Sequence, residues 1–273
     1  MGNFKRPVLP CKLCGQVREL VQTHLLASGF YGLLRDRNPE ATNCNPIVIS
    51  RKVAIHTSRQ VADYVLCAEC DQRLATYGEE WALQQVDRGS RFPLLERLNL
   101  ALPISYLSGP GVQSYSGRDA GIDTAMLAHF ALSVIWRASV HAWPISSTET
   151  TSISLGSYAE PMRKYLSGDA GFPEDVVVMA TVCTDLASRD GCYVPCLVKG
   201  SAHVAYAFLV RGLYIRVFTA RDLTPDYRGL CCFKSPEKLM FVRDCSKEAL
   251  DTWSNLLKTS RPVGELAGRE HTA

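Results

Sequence analysis

The chain has 273 residues, 47% of them hydrophobic, with 30 Lys and Arg against 27 Asp and Glu for a formal charge of +3. That length and apolar content bury a sizeable core, as one large domain or two ordinary ones. The small charge excludes a protein that grips nucleic acid by bulk electrostatics, so any such contact needs a local basic patch. No stretch approaches the ~18 consecutive apolar residues of a membrane span, and the opening MGNFKRPVLPCKLC holds no apolar run of signal-peptide length. The expectation is a cytoplasmic chain with no membrane partner.

In chain order, KRPVLPCKLCG reads as an extended entry into a tight knuckle, where the glycine after the second cysteine permits the turn. Val17–Val21 is a short strand, and apolar residues at 25, 26, 30, 33 and 34 predict a short amphipathic helix from His24 to Leu34. RDRNPEATNCNP is a loop, PIVISRKVAIHTSRQ holds two short β-like runs, and DYVLC leads into a helix that begins around the next cysteine pair, with Cys70 in its first turn. After about residue 102 the chain turns richer in Gly, Pro and Ser, which marks a boundary between residues 1–100 and 101–273.

TAMLAHFALSVIWRASVHAW is apolar almost all round and predicts a buried central helix, while GSYAEPMRKYLSGD predicts a shorter one stopped by Gly168. VVVMATVCTD, CYVPCLVKG, HVAYAFLV and LYIRVFT alternate with turns and predict an antiparallel sheet. SKEALDTWSNLLK closes the folded part as a helix with Ser246 as its N-cap, followed by an irregular polar tail. The fold class is therefore α+β.

Eleven cysteines without an export signal point to thiols that are free or bound to metal. Cys44, Cys183, Cys192, Cys196, Cys231, Cys232 and Cys245 sit among apolar neighbours and are expected as small core hydrophobes. Cys11, Cys14, Cys67 and Cys70 differ, forming two CxxC pairs about fifty residues apart. Four thiolates are what a closed tetrahedral structural zinc site requires, so Zn²⁺ is the expected cofactor. With four sulfurs present, His24 is not needed on that ion.

CKLCG, a short strand, THLLASGFYGLL, a long insertion and DYVLCAECDQRLATYGEEW together resemble the HNH-endonuclease-like treble-clef zinc proteins of bacteria and phages, over about residues 8–90. The resemblance implies an N-terminal treble clef, an HNH-like ββα module, and the elements read above for residues 101–273 make the α+β domain that follows it, a buried helix against an antiparallel sheet. It further implies metal-dependent cleavage of DNA or RNA, in the setting of phage–host conflict. His24 falls at the general-base position, where a side chain titrating near neutrality is suited to activating water. Asp71 falls where the family's helix supplies a ligand for Mg²⁺ or Mn²⁺, and a carboxylate meets the preference of such ions for oxygen.

The chain departs from the family at Thr23, where active members place an Asp or His, and at Ala27-Ser28, where a proline commonly follows. No middle asparagine is assigned, although Asn43 and Asn45 lie in the insertion. Glu79 and Glu80 either add a carboxylate or face water, and His56 either approaches the site or sits on a strand surface. Arg137, next to Trp136, either receives an anion or pairs with an internal acid. Arg35, Arg37, Arg51, Lys52 and Arg59 concentrate positive charge in the insertion, for phosphates or for water. The alternative to a nuclease is a non-catalytic, zinc-stabilised binding module that meets a protein partner through residues 101–273.

Overall fold

A computed structural model of the chain describes residues 5–36, 38, 40, 43–146 and 148–269. The N-terminal part opens with strands β1 (Val8–Pro10) and β2 (Val17–His24), which flank the first cysteine pair. Helix α1 (Ser28–Leu33) follows, then the hairpin of β3 (Ile47–Ile49) and β4 (Val53–His56), and then β5 (Ala62–Cys67). Strands β1, β2 and β5 make one antiparallel sheet, in which His24 is registered with Ala62. From Cys67 the chain enters α2 (Ala68–Leu74), a π-helical turn (Ala75–Glu79) and α3 (Glu80–Gln85).

Two differences from the expected elements matter here. The helix predicted from His24 begins only at Ser28, and His24 is instead the last residue of a strand. Leu25 and Leu26 are buried in the corner after that strand, so their apolar character mimics a helical stripe that does not exist. The helix from Cys67 does place Cys70 in its first turn, but it is interrupted after Leu74 by the π turn.

The remainder adds α4 (Pro93–Leu100), β6 (Val112–Ser116), α5 (Thr124–Val140), the two-residue strands β7 (Trp143–Pro144) and β8 (Thr150–Thr151), and α6 (Ala159–Ser167). Then come β9 (Val176–Cys183), α7 (Leu186–Arg189), β10 (Cys192–Leu197), β11 (Val204–Val210) and β12 (Leu213–Thr219). Helix α8 (Pro225–Gly229), β13 (Leu239–Arg243), α9 (Ser246–Leu257) and β14 (Arg261–Pro262) complete the order. Six strands form the main sheet in the order β10-β11-β12-β9-β13-β6.

The four predicted strands are present, but the sheet is mixed rather than antiparallel, because β13 runs parallel to β9. The chain leaves β12 at the end where β9 begins, crosses β9 and starts β13 in the same direction. Strands β6 and β13 and helix α4 were not foreseen. Ser246 is the first residue of α9 rather than its cap, which is Cys245. The tail expected to be irregular returns instead to pair β14 with β4 in parallel. Among the scattered cysteines, Cys183, Cys231, Cys232 and Cys245 are buried as expected, whereas Cys44 and Cys196 are exposed.

Helix α5 is the predicted central helix, capped by Asp123, whose carboxylate accepts the amides of Ala125 and Met126. It lies between the Cys-bearing part and the main sheet. Phe130 on α5 stacks at 5.6 Å against Phe30 of α1 and at 5.7 Å against Phe208 of β11. One hydrophobic cluster runs from Cys11 to Val242, so the parts on either side of residue 100 share a core. The π turn presses on α5 so closely that a Cβ at Gly78 would lie 2.6 Å from the Phe130 amide nitrogen, a position only glycine fills.

Two buried polar groups of α5 carry consequences for stability. Arg137, 1% exposed, forms an ion pair with Glu79 of the π turn. Burial pushes the Glu79 carboxyl up, and the Arg137 guanidinium pulls against it. Arg137→Met, which strands that carboxylate, is expected to cost ~3–5 kcal/mol in denaturant unfolding, and the double change Arg137→Met/Glu79→Leu to cost less. Equal losses in the two proteins would refute this.

His129 lies between Tyr77 and Tyr165, each 5.8 Å away, and its Nδ1 has no partner. Burial lowers its pKa from 6.5 to about 4, helped by Arg73 and Arg137 and opposed by the Leu166 carbonyl. The unfolded chain therefore binds the extra proton first. Stability is unaffected by this group above pH 6.5 and falls as the pH drops toward 4, by roughly 3 kcal/mol in all. His129→Leu is expected to flatten that part of the stability curve, and an unchanged slope would contradict the assignment.

Candidate metal centre and the polar site beside it

The four sulfurs of Cys11, Cys14, Cys67 and Cys70 lie within 4.8 Å of one another, with Cys14 and Cys67 4.0 Å apart. Tetrahedral thiolate coordination at ~2.3 Å from zinc puts sulfurs roughly 3.8 Å apart, so the group matches the donor set and size of such a site. Local chain geometry produces it. Gly15 adopts φ 74° to close the first knuckle, and its amide donates to the Cys11 carbonyl at 2.8 Å. The Lys12 amide reaches the Val65 carbonyl at 3.1 Å and the Cys67 amide reaches the Cys11 sulfur at 3.3 Å, which joins the knuckle to β5.

Three of the thiols are buried and Cys14 is at the rim. The Cys70 thiol donates to Cys11 and lowers that thiol to about 4, with backbone groups helping and burial opposing, while Cys70 is pushed up in return. The cluster thus already favours a thiolate, the form that binds metal. Outer contacts hold it in place: Arg18 of β2 pairs with Glu69 of α2, and Arg163 of α6 donates to the Leu13 carbonyl at 2.6 Å.

His24 ends β2 opposite Ala62, at the other end of the β2–β5 pairing from Cys67, and its main-chain carbonyl accepts from Arg137 Nη1 at 2.8 Å. Burial lowers the imidazole below its ordinary 6.5, Asp71 works against this, Arg137 adds to it and a hydrogen bond with Gln60 opposes it. Asp71, on the first turn of α2, is thus near enough for its charge to act on His24. No hydrogen bond or ion pair engages the Asp71 carboxylate among the described residues. Glu79 faces inward to Arg137, where the charge of Asp71 also reaches it, and Glu80 is exposed. Of the two options for Arg137, the internal acid is the one found.

Thr23 is fully buried and its Oγ1 has no partner, consistent with strand alternation turning it away from the face of His24. His56 is not brought to His24: its Nδ1 meets the Asn45 carbonyl at 2.9 Å, in a separate cleft of about 440 Å³. Asn43 is spent on Glu265 and on the Asn45 amide. Arg35, Arg51, Lys52 and Arg59 are exposed, and Arg37 lies outside the described residues. Sequence reasoning missed a second group, Cys183, Asp185 and Cys245, whose ligand atoms also lie within 4.8 Å of one another.

Elemental analysis of the purified chain is expected to give one zinc per molecule, and a strong chelator to lower the melting temperature. Cys67→Ser is expected to abolish metal binding and to destabilise the protein by at least ~3 kcal/mol. A metal-free chain that melts unchanged in chelator would disprove the site. No known protein family, no curated protein and no solved structure matches this chain.

Proposed function

We propose that residues 1–100 form a treble-clef zinc module of HNH-endonuclease type, and that the protein cleaves nucleic acid with a divalent metal, in keeping with phage–host conflict. The observation that carries this reading is that the charge of Asp71, a carboxylate in a helix first turn, acts on the His24 imidazole at a strand end, within the same part of the chain as the four-cysteine cluster. Their order along the chain, knuckle, strand ending in histidine, strand, then helix headed by the second cysteine pair, also supports it. Exposed Arg35, Arg51, Lys52 and Arg59 add cations suited to phosphates.

In this reading Cys11, Cys14, Cys67 and Cys70 would hold a structural zinc that joins the knuckle to the helix start. His24, kept neutral at neutral pH by its burial, removes a proton from the water that attacks phosphorus. Asp71 would hold the Mg²⁺ or Mn²⁺, whose positive charge would be available to the phosphate. A single carboxylate fits such an ion, because Mg²⁺ takes one or two and completes its shell with water and substrate phosphates. Arg137 fixes the backbone of the base through the His24 carbonyl.

Buried Thr23 favours a second reading, a non-catalytic zinc-stabilised module that recognises a protein or ligand through residues 101–273. It offers no metal ligand where the family's active members have one. Plasmid nicking with Mg²⁺ or Mn²⁺ separates the two. The nuclease reading expects His24→Ala to reduce the rate by ~10²-fold or more while zinc content and melting temperature are kept. It also expects the rate to fall on the acid side with a midpoint below pH 6.5, since burial lowers the imidazole. Absence of cleavage of DNA and RNA with every divalent ion tried leaves the binding module standing.

A further inference from the structure

Cys183 closes β9 and Cys245 precedes α9, two elements at one end of the main sheet. The parallel pairing of β9 with β13 registers Cys183 against Arg243, which brings Cys245, two residues later, over it. The two thiols form a small buried cluster with Leu209, flanked by Tyr193 and Tyr214 and distinct from the main core. Their sulfurs lie within 4.8 Å of each other.

The surroundings differentiate the two sulfurs. Arg243 Nε donates to the Cys245 sulfur at 3.3 Å, and Cys245 occupies the N-cap position of the twelve-residue helix α9. Both features favour a thiolate there. Cys183 has no such cation; the proximity of the two sulfurs is the main influence lowering the Cys245 thiol and raising the Cys183 thiol, with burial raising both. Glu248 faces the pair through its own bond to Arg243.

The same contacts argue against a metal ion at this position. Both carboxylate oxygens of Asp185 are already occupied, Oδ1 by the Ser188 amide at 2.7 Å and Oδ2 by the Cys245 amide at 2.8 Å. A cation would also have to share the Cys245 sulfur with a guanidinium. What remains is a pair of buried sulfurs, one of them beside a guanidinium, held on separate elements.

We propose that Cys183 and Cys245 form a redox-active dithiol that a peroxide closes to a disulfide. The Cys245 thiolate attacks one peroxide oxygen; the O–O bond breaks, and Cys245 becomes a sulfenic acid as the other oxygen leaves and takes up a proton as water. Cys183 then loses its proton and attacks the Cys245 sulfur, the S–S bond forms, and the sulfenic oxygen leaves with two protons as a second water. In sum two thiols and hydrogen peroxide give one disulfide and two waters. Access comes from α9, which buries only Ala249 of its residues and so opens more readily than the sheet beneath it.

The test uses the reduced, zinc-loaded full chain, titrated with hydrogen peroxide, alkylated and mapped by mass spectrometry. The expected product is a Cys183–Cys245 cross-linked peptide that dithiothreitol reverses, formed while zinc stays bound to the chain. In Cys183→Ser the sequence should halt at the sulfenic acid, which dimedone labels on Cys245. Should that variant not fold, phenylarsine oxide bridging Cys183 to Cys245 in the wild-type chain reports the same proximity and reactivity. Recovery of both residues as free thiols, or of Cys245 as sulfinic acid without the cross-link, overturns the proposal, and neither result bears on nuclease activity.

Discussion

A single buried guanidinium sets the positions of three elements on which the candidate site depends. Arg137 gives one amino group to the His24 carbonyl, another to the Glu79 carboxylate, and its Nε to the Ser133 carbonyl of its own helix at 3.3 Å. Its own carbonyl accepts from the Trp143 indole at 2.8 Å. A charge with this little access to water must have its donors met, so the end of β2, the π turn and α5 are confined to one mutual arrangement. The orientation of His24 is thereby governed by a residue 113 positions further along the chain.

That dependence gives the helix-and-sheet part a physical role in the site, whatever else it does. The four cysteines fix the knuckle to the start of α2, but a metal cluster alone does not determine how β2 leaves it. The strand end is set by Arg137, and α5 is set in turn by Phe30, Phe130 and Phe208 stacked through the middle of the molecule. The four-cysteine cluster, strand end and central helix are thus tied together by a continuous set of contacts. The insertion carries a sheet of its own, the β3–β4 hairpin with its late partner β14.

What the sequence revealed was what local chemistry encodes. The two CxxC pairs, the strands of β9 to β12, the all-apolar α5 and the Gly168 stop of α6, with φ 85°, each carry their signal within a few residues. The misread elements depend on distant contacts. Leu25 and Leu26 look helical because both are buried, yet they pack in a corner. Strand β6 is rich in serine and is recognisable only beside β13. Cys183 and Cys245 are joined by a parallel pairing that no short-range pattern announces, so they read as ordinary core residues. Within the site, the cysteines were legible and the partner of Arg137 was not, because Glu79 reaches it only through the irregular turn of its helix.

That turn has a consequence for how the chain tolerates change. An α-helix advances about 100° per residue, and a π turn accommodates one extra residue without ending the helix. The inward aim of Glu79 is therefore a matter of spacing as much as of side-chain identity. Loss of one residue between Leu74 and Glu80 would let the segment relax to a regular helix with its two flanks still in register, and would erase the bulge that brings Gly78 and Glu79 against α5. In this region the count of residues is itself under constraint, and substitution scans that preserve length are blind to it.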